Sequence, residues 1–145
     1  MPTVFNFVAI LSATCFAGAA VYVNLVEHPA RLSCGTEIAA RQWAPSYKRA
    51  TVMQATLAIV ATVAGAIRWF QTGTGAWLYG AAAILAVVPV TLVVIFPTNK
   101  KLLEPGRDLK SSETQSLLER WGRLHAIRSA LSVAASGFFV WAATH

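Results

Sequence analysis

The chain has 145 residues, 56% of them hydrophobic and 12% charged, with a formal net charge of +6. Average soluble domains carry about 25% charged residues, so this composition excludes an ordinary soluble domain and points to a single all-α integral membrane domain. The basic residues flank apolar runs and form no stripe interleaved with stacking aromatics, which excludes nucleic acid as the partner and assigns the excess charge to topology and anionic lipid.

Four apolar runs predict four spans, at residues 4–26, 50–70, 76–96 and 124–144, packed as a four-helix bundle. The first run lacks a positively charged leading segment and continues to Val26, so it reads as a retained span. Pro29 is expected to end or kink that helix. A polar loop reaches Arg49, with a short surface helix at residues 36–43. Arg68 and Trp69 anchor the far end of the second span, and residues 71–75 form an uncharged turn. Pro89 is expected to kink the third span and Pro97 to stop it. Pro105-Gly106 marks a turn, and Ser111 or Ser112 is the candidate cap of a helix running through Trp121 and His125 into the fourth span. Small residues at i, i+4 (Ala61/Gly65, Ala130/Ala134, Ser132/Ser136) predict close helix contacts. Cys15 and Cys34 form no motif.

With four spans, the first and third loops share one side. That side carries Arg31, Arg41, Lys48, Arg49, Lys100, Lys101, Arg107, Lys110, Arg120 and Arg123, ten of the twelve basic residues. The positive-inside rule puts it in the cytoplasm and both termini on the non-cytoplasmic side. Glu27 and His28, Tyr47 and Arg49, Asn99, and His125 and Arg128 then converge at one membrane level from four helix ends. A weak echo links the halves: Pro29, Trp43, Tyr47, Arg49 against Pro97, Trp121, His125, Arg128.

His125 and Arg128 are spaced i, i+3 on one helix face, and an arginine inside a span is a functional-site candidate. Glu27 is its candidate partner, a pairing that would also lock span 1 to span 4. His28 and His125 suit acid/base chemistry near neutral pH. They also suit metal or haem ligation, with Glu27 as a third ligand, although no HxxxH, ExxH or CxxCH pattern supports it.

Asn24-Leu-Val-Glu27-His28-Pro29-Ala-Arg31, then Trp43 with Tyr47-Lys-Arg49, then Pro97-Thr-Asn99-Lys-Lys-Leu102, then Trp121-x-x-x-His125-x-x-Arg128 resemble the small four-span membrane family that includes the anthrone oxygenases. The resemblance runs through nearly the whole chain. It implies an oxygenase that uses O2 as co-substrate, without flavin or haem, to convert a lipophilic anthrone to an anthraquinone. On that reading His125 is the base, Arg128 and Asn99 stabilise the oxyanion, and Glu27 and His28 orient or assist. Trp43, Tyr47, Arg49 and Trp121 contact the substrate.

Two other readings stay open: a four-span metal- or haem-binding redox protein using His28 and His125, and a non-enzymatic membrane subunit in which the polar cluster is structural. Lateral association into a homo-oligomer is compatible with the small-residue faces.

Overall fold

Neither Pro29 nor Pro97 stops its helix. The computed structural model describes residues 3–145. Within them the chain forms four helices long and apolar enough to cross a membrane: α1 (Val4–Ser33), α2 (Thr36–Thr72), α3 (Gly75–Leu102) and α4 (Ser112–Thr144). There is no strand among the described residues.

Proline lacks an N–H and its ring crowds the carbonyl four residues back. In α1 and α3 the turn before the proline widens to absorb this. Val23–Glu27 is a π turn, closed by the His28 N–H on the Val23 carbonyl. Val90–Ile95 is another, closed by the Phe96 N–H on the Thr91 carbonyl. Both helices then run on, to Ser33 and to Leu102. The expected helix ends at Pro29 and Pro97 are therefore corrected, and α3 likewise passes through Pro89.

The first polar loop shrinks in the same way. The predicted surface helix at residues 36–43 is the start of α2, which passes through Pro45 and continues unbroken to Thr72. At 1.5 Å per residue this helix of 37 residues is roughly 55 Å long, well beyond a hydrocarbon core of about 30 Å. The α1–α2 connection is left to Cys34 and Gly35, and Gly35 takes φ +93°, where a glycine is favoured. Ser111 is the cap of α4, its hydroxyl accepting from the Thr114 N–H at 3.2 Å.

The bundle has two apolar cores. One, towards the termini, is built from Ala9, Ala13, Phe16, Ala61, Trp77, Ile84 and Phe139, among others. The second, towards the α1–α2 and α3–α4 connections, holds Trp43, Ile95, Leu118 and Trp121. Small residues set the spacing in the first. The Phe139 ring of α4 packs against Gly65 of α2 and Gly80 of α3, where a Cβ would lie 2.6 Å and 2.5 Å from it. The Ala61/Gly65 pair is thus a helix contact, as its spacing suggests, and Ser132 is buried as well. Ala130 and Ala134 are exposed on the outer face of α4 and make no such contact within the chain.

Filling this contact has a definite cost. Gly80→Leu is expected to lower the thermal unfolding midpoint in detergent, consistent with about 1–3 kcal/mol of overpacking. Gly18→Leu, where a Cβ meets open space, leaves the midpoint unchanged.

Candidate functional site: a polar layer between two apolar cores

Between the two cores lies a layer of side chains that hydrogen-bond across helices. Asn24 of α1 is its hub. Its Nδ2 donates to the Gly122 carbonyl of α4 at 2.8 Å, which fixes the orientation of the amide. Its Oδ1 accepts from Ser129 Oγ at 2.6 Å and lies 2.8 Å from His125 Nδ1. An amide oxygen accepts and never donates, so His125 carries its proton on Nδ1 and presents Nε2 as a bare lone pair. His28 holds the opposite tautomer: Nε2 donates to the Leu118 carbonyl at 2.8 Å, leaving Nδ1 bare, buried and unpartnered. Its close seat against α4 needs a glycine, since a Cβ on Gly122 would lie 2.7 Å from His28 Cδ2.

Arg128 is 7% exposed. Its Nη2 donates to Gln54 Oε1 of α2 at 2.5 Å, and its guanidinium lies over the Phe16 ring at 5.5 Å. It forms no ion pair among the described residues. The expected Glu27–Arg128 pair is therefore corrected. Glu27 sits one turn from Arg31 on α1 and takes that guanidinium at 2.5 Å. The same carboxylate oxygen accepts from Gln42 Nε2 and Ser46 Oγ, both at 3.0 Å. Glu27 Oε1 is occupied by near neighbours, and Arg128 is left with a neutral amide.

A narrow chamber of about 20 Å³ opens in this layer. Tyr47, Trp121, His125 and Arg128 line it, together with Arg31, Ser46 and Gln54. That volume admits about one water. Two guanidiniums face it and no carboxylate lines it. An aromatic stack backs it. Trp43 and Tyr47 lie parallel at 5.0 Å, Trp121 meets Trp43 edge-on at 5.8 Å, and His28 and His125 flank Trp121 at 5.0 Å and 4.7 Å. All but one of the buried, unpartnered side-chain nitrogens and oxygens belong to this end of the bundle, on His28, Arg31, Trp43, Asn99, Trp121 and Arg128. Such groups are rare in folded proteins, and strain, a catalytic role or a bound water or ion accounts for them.

Four of the residues expected from the sequence thus share the chamber: Tyr47, Trp121, His125 and Arg128. Trp43 stands behind Tyr47, Glu27 behind Arg31, and His28 behind Trp121, outside the chamber lining. Arg49 is exposed and outside it. Asn99 is fully buried on the α3 face that also carries Ile95 and Leu102, and neither end of its amide has a partner. Asn24, Arg31, Ser46, Gln54 and Ser129 were not anticipated. Gln54 had a signal, as a lone amide in an apolar run. Asn24 and Arg31 had one too, since residues 24, 27, 28 and 31 share a face once α1 is allowed past Pro29.

For metal ligation the geometry is unfavourable. Glu27 is committed to Arg31, Gln42 and Ser46, and each imidazole spends one nitrogen on a protein partner. No group of three His, Cys, Asp or Glu side chains comes together among the described residues.

Fold and site together define a four-helix membrane protein with a buried cationic chamber and a histidine of fixed tautomer. The anthrone oxygenase family matches residues 43–138, well over half of the chain, and the chain belongs to that family. No curated protein and no solved structure matches it. The match begins at Trp43, so Asn24, Glu27, His28 and Arg31 of α1 lie outside it.

The tautomers are directly measurable. Nitrogen-15 histidine spectra are expected to show His125 as the Nδ1–H form and His28 as the Nε2–H form. Asn24→Leu shifts His125 towards Nε2–H and leaves His28 unchanged. A wild-type spectrum with both rings in one tautomer would contradict the network.

Proposed function

We propose that the protein is a membrane oxygenase that uses O2 directly, without an organic cofactor or metal, to oxidise an acidic CH2 flanked by aromatic rings to a carbonyl. The substrate is a lipophilic anthrone-type ketone. The observation that carries this reading is the pairing of a bare His125 Nε2 with a buried Arg128 that no carboxylate neutralises, both lining one chamber. Family membership supports it.

His125 Nε2 takes a proton from the CH2. The electron pair left behind spreads onto the ketone oxygen, which becomes an anion. The guanidiniums of Arg128 and Arg31 face that developing charge, and in a site closed to water such an interaction is strong. The electron-rich anion passes an electron to O2, and the two recombine with a new bond between carbon and oxygen. The peroxide anion so formed takes back the proton held on His125 Nε2, and the hydroperoxide loses water and leaves a carbonyl. One anthrone and one O2 thus give one anthraquinone and one water. Asn24 is a positioning residue that holds Nε2 toward the chamber throughout. Tyr47 and Trp121 form the aromatic wall, with Trp43 supporting Tyr47 from behind.

His125→Ala is expected to lower the initial rate of anthrone-dependent oxygen uptake by about a hundredfold or more. Arg128→Gln is expected to lower it by a similar factor. Arg120→Ala, at an exposed position, leaves it unchanged. Near-full activity in His125→Ala, with an unaltered unfolding midpoint, overturns the assignment.

The polar layer faces the cytoplasm on this reading, because the basic residues cluster beyond it and are suited to anionic lipid. A reporter fused after His145 is then expected on the non-cytoplasmic side, and protease protection of that reporter from outside the cell would reverse the orientation.

A further inference from the structure

The chamber shares a wall with a second cavity. An apolar groove of about 170 Å³ between α2 and α3 has Thr51, Gln54 and Arg128 in common with it. Ala55, Val88 and Leu92 are exposed along this groove, on the face of the bundle that meets lipid, and Phe16 and Ala58 are its buried floor. The shared wall is the Gln54–Arg128 hydrogen bond. Ligand pockets run about 300–1,000 Å³, and neither cavity alone reaches that size. Removing the wall joins them, and α2 and α3 must also part before the joined space takes a three-ring ketone.

The surrounding helices suit such an opening. α2 and α3 are tied together at one end by the turn at Gly73 and by the Gly65–Phe139–Gly80 contact. The groove lies near the middle of both helices, about 25 Å from the turn at 1.5 Å per residue. There α3 carries Pro89 and the π turn Val90–Ile95, where the regular hydrogen-bond ladder is already interrupted. The groove itself is amphiphilic. Its length is apolar, and its inner end is a guanidinium without a counter-ion.

We infer that the substrate enters the chamber sideways from the bilayer through this groove, and that the Gln54–Arg128 pair is the gate. The inference rests on the proposed oxidation of a lipophilic aromatic ketone. The ligand's oxygen replaces Gln54 Oε1 as the acceptor of the Arg128 N–H, one hydrogen bond exchanged for another, so opening leaves no cation unpartnered. The flat apolar body remains in the groove. A saturated hydrocarbon chain has no acceptor and does not turn the gate.

The test uses a nitroxide at position 55, introduced as Ala55→Cys in a Cys15→Ser, Cys34→Ser background, in phosphatidylcholine vesicles. Anthrone is added without oxygen, so that binding is read apart from turnover. The label at 55 is expected to become immobilised, saturably. A label introduced as Val52→Cys, exposed on α2 and outside the groove, is expected to stay mobile. Octadecane is expected to leave both unchanged. In parallel, Ala55→Trp is expected to lower the oxygen-uptake rate at low anthrone by about tenfold, with Val52→Trp unaffected. Immobilisation by anthrone without oxygen uptake supports the portal and removes the oxygenase reading. No response at 55, with or without turnover, overturns the portal. An equal response to octadecane also overturns it and makes the groove a lipid site.

Discussion

The structure depends on keeping one arginine in its interior. Placing an arginine at the centre of a membrane helix costs about 2.5–3.5 kcal/mol on insertion scales, and an acid is the usual remedy. Arg128 has none. It has the oxygen of Gln54, the face of Phe16 and its place in the chamber wall. Around it the polar side chains form a thin stratum with an apolar core on either side. Three of the four helices supply a polar group at that height. α1 gives Asn24, α2 gives Gln54, and α4 gives His125 and Ser129. The hydrogen bonds that hold the stratum together also fix the proton on His125, so structural need and chemical preparation coincide.

The four spans were legible because apolar runs of this length have few other fates. So was the convergence of polar residues at one end, since four helix ends must meet there. The partners were not. The expected Glu27–Arg128 pair fails because Arg31, one turn away on α1, takes the carboxylate. That Arg31 belongs to α1 at all was hidden by Pro29, a residue that in isolation reads as a helix end. The widened turn Val23–Glu27 is a backbone response with no signature in hydropathy. Gln54 was visible as a lone amide in an apolar run, yet its partner on another helix could not be read from spacing within either segment. Arg49 illustrates the reverse: membrane-edge arginines look alike in sequence, and only helix rotation separates the exposed Arg49 from the buried Arg128.

The two halves of the chain share more backbone than sequence. Each has a helix with a π turn two residues before a proline, then a second helix with a tryptophan and, four residues on, a Tyr or His facing the chamber. The widened turns lie beside the polar stratum in both halves, and π turns often mark functional sites. The halves diverge in chemistry. Tyr47 of the first stands on a stacked aromatic wall, whereas His125 of the second is tied to an amide that sets its tautomer. A duplicated hairpin would acquire function in this way, one copy keeping the wall and the other gaining a base.

This division bears on how the site is distributed along the chain. The segment matched by the anthrone oxygenase family carries Tyr47, Gln54, Trp121, His125 and Arg128, which line the chamber together with Arg31 of α1. The residue that orients the His125 ring, Asn24, comes from α1, ahead of that segment. Base and orienter therefore lie on separate helices, joined by a pair of hydrogen bonds to one amide oxygen and a third from its nitrogen. A change confined to α1 can retune the imidazole while every chamber-lining residue of the matched segment stays as it is. Conversely, a chain that kept His125 and Arg128 but lost the amide would retain the cation and the ring without a fixed lone pair. What fixes the tautomer of His125 is the contact between α1 and α4, more than any one residue on either.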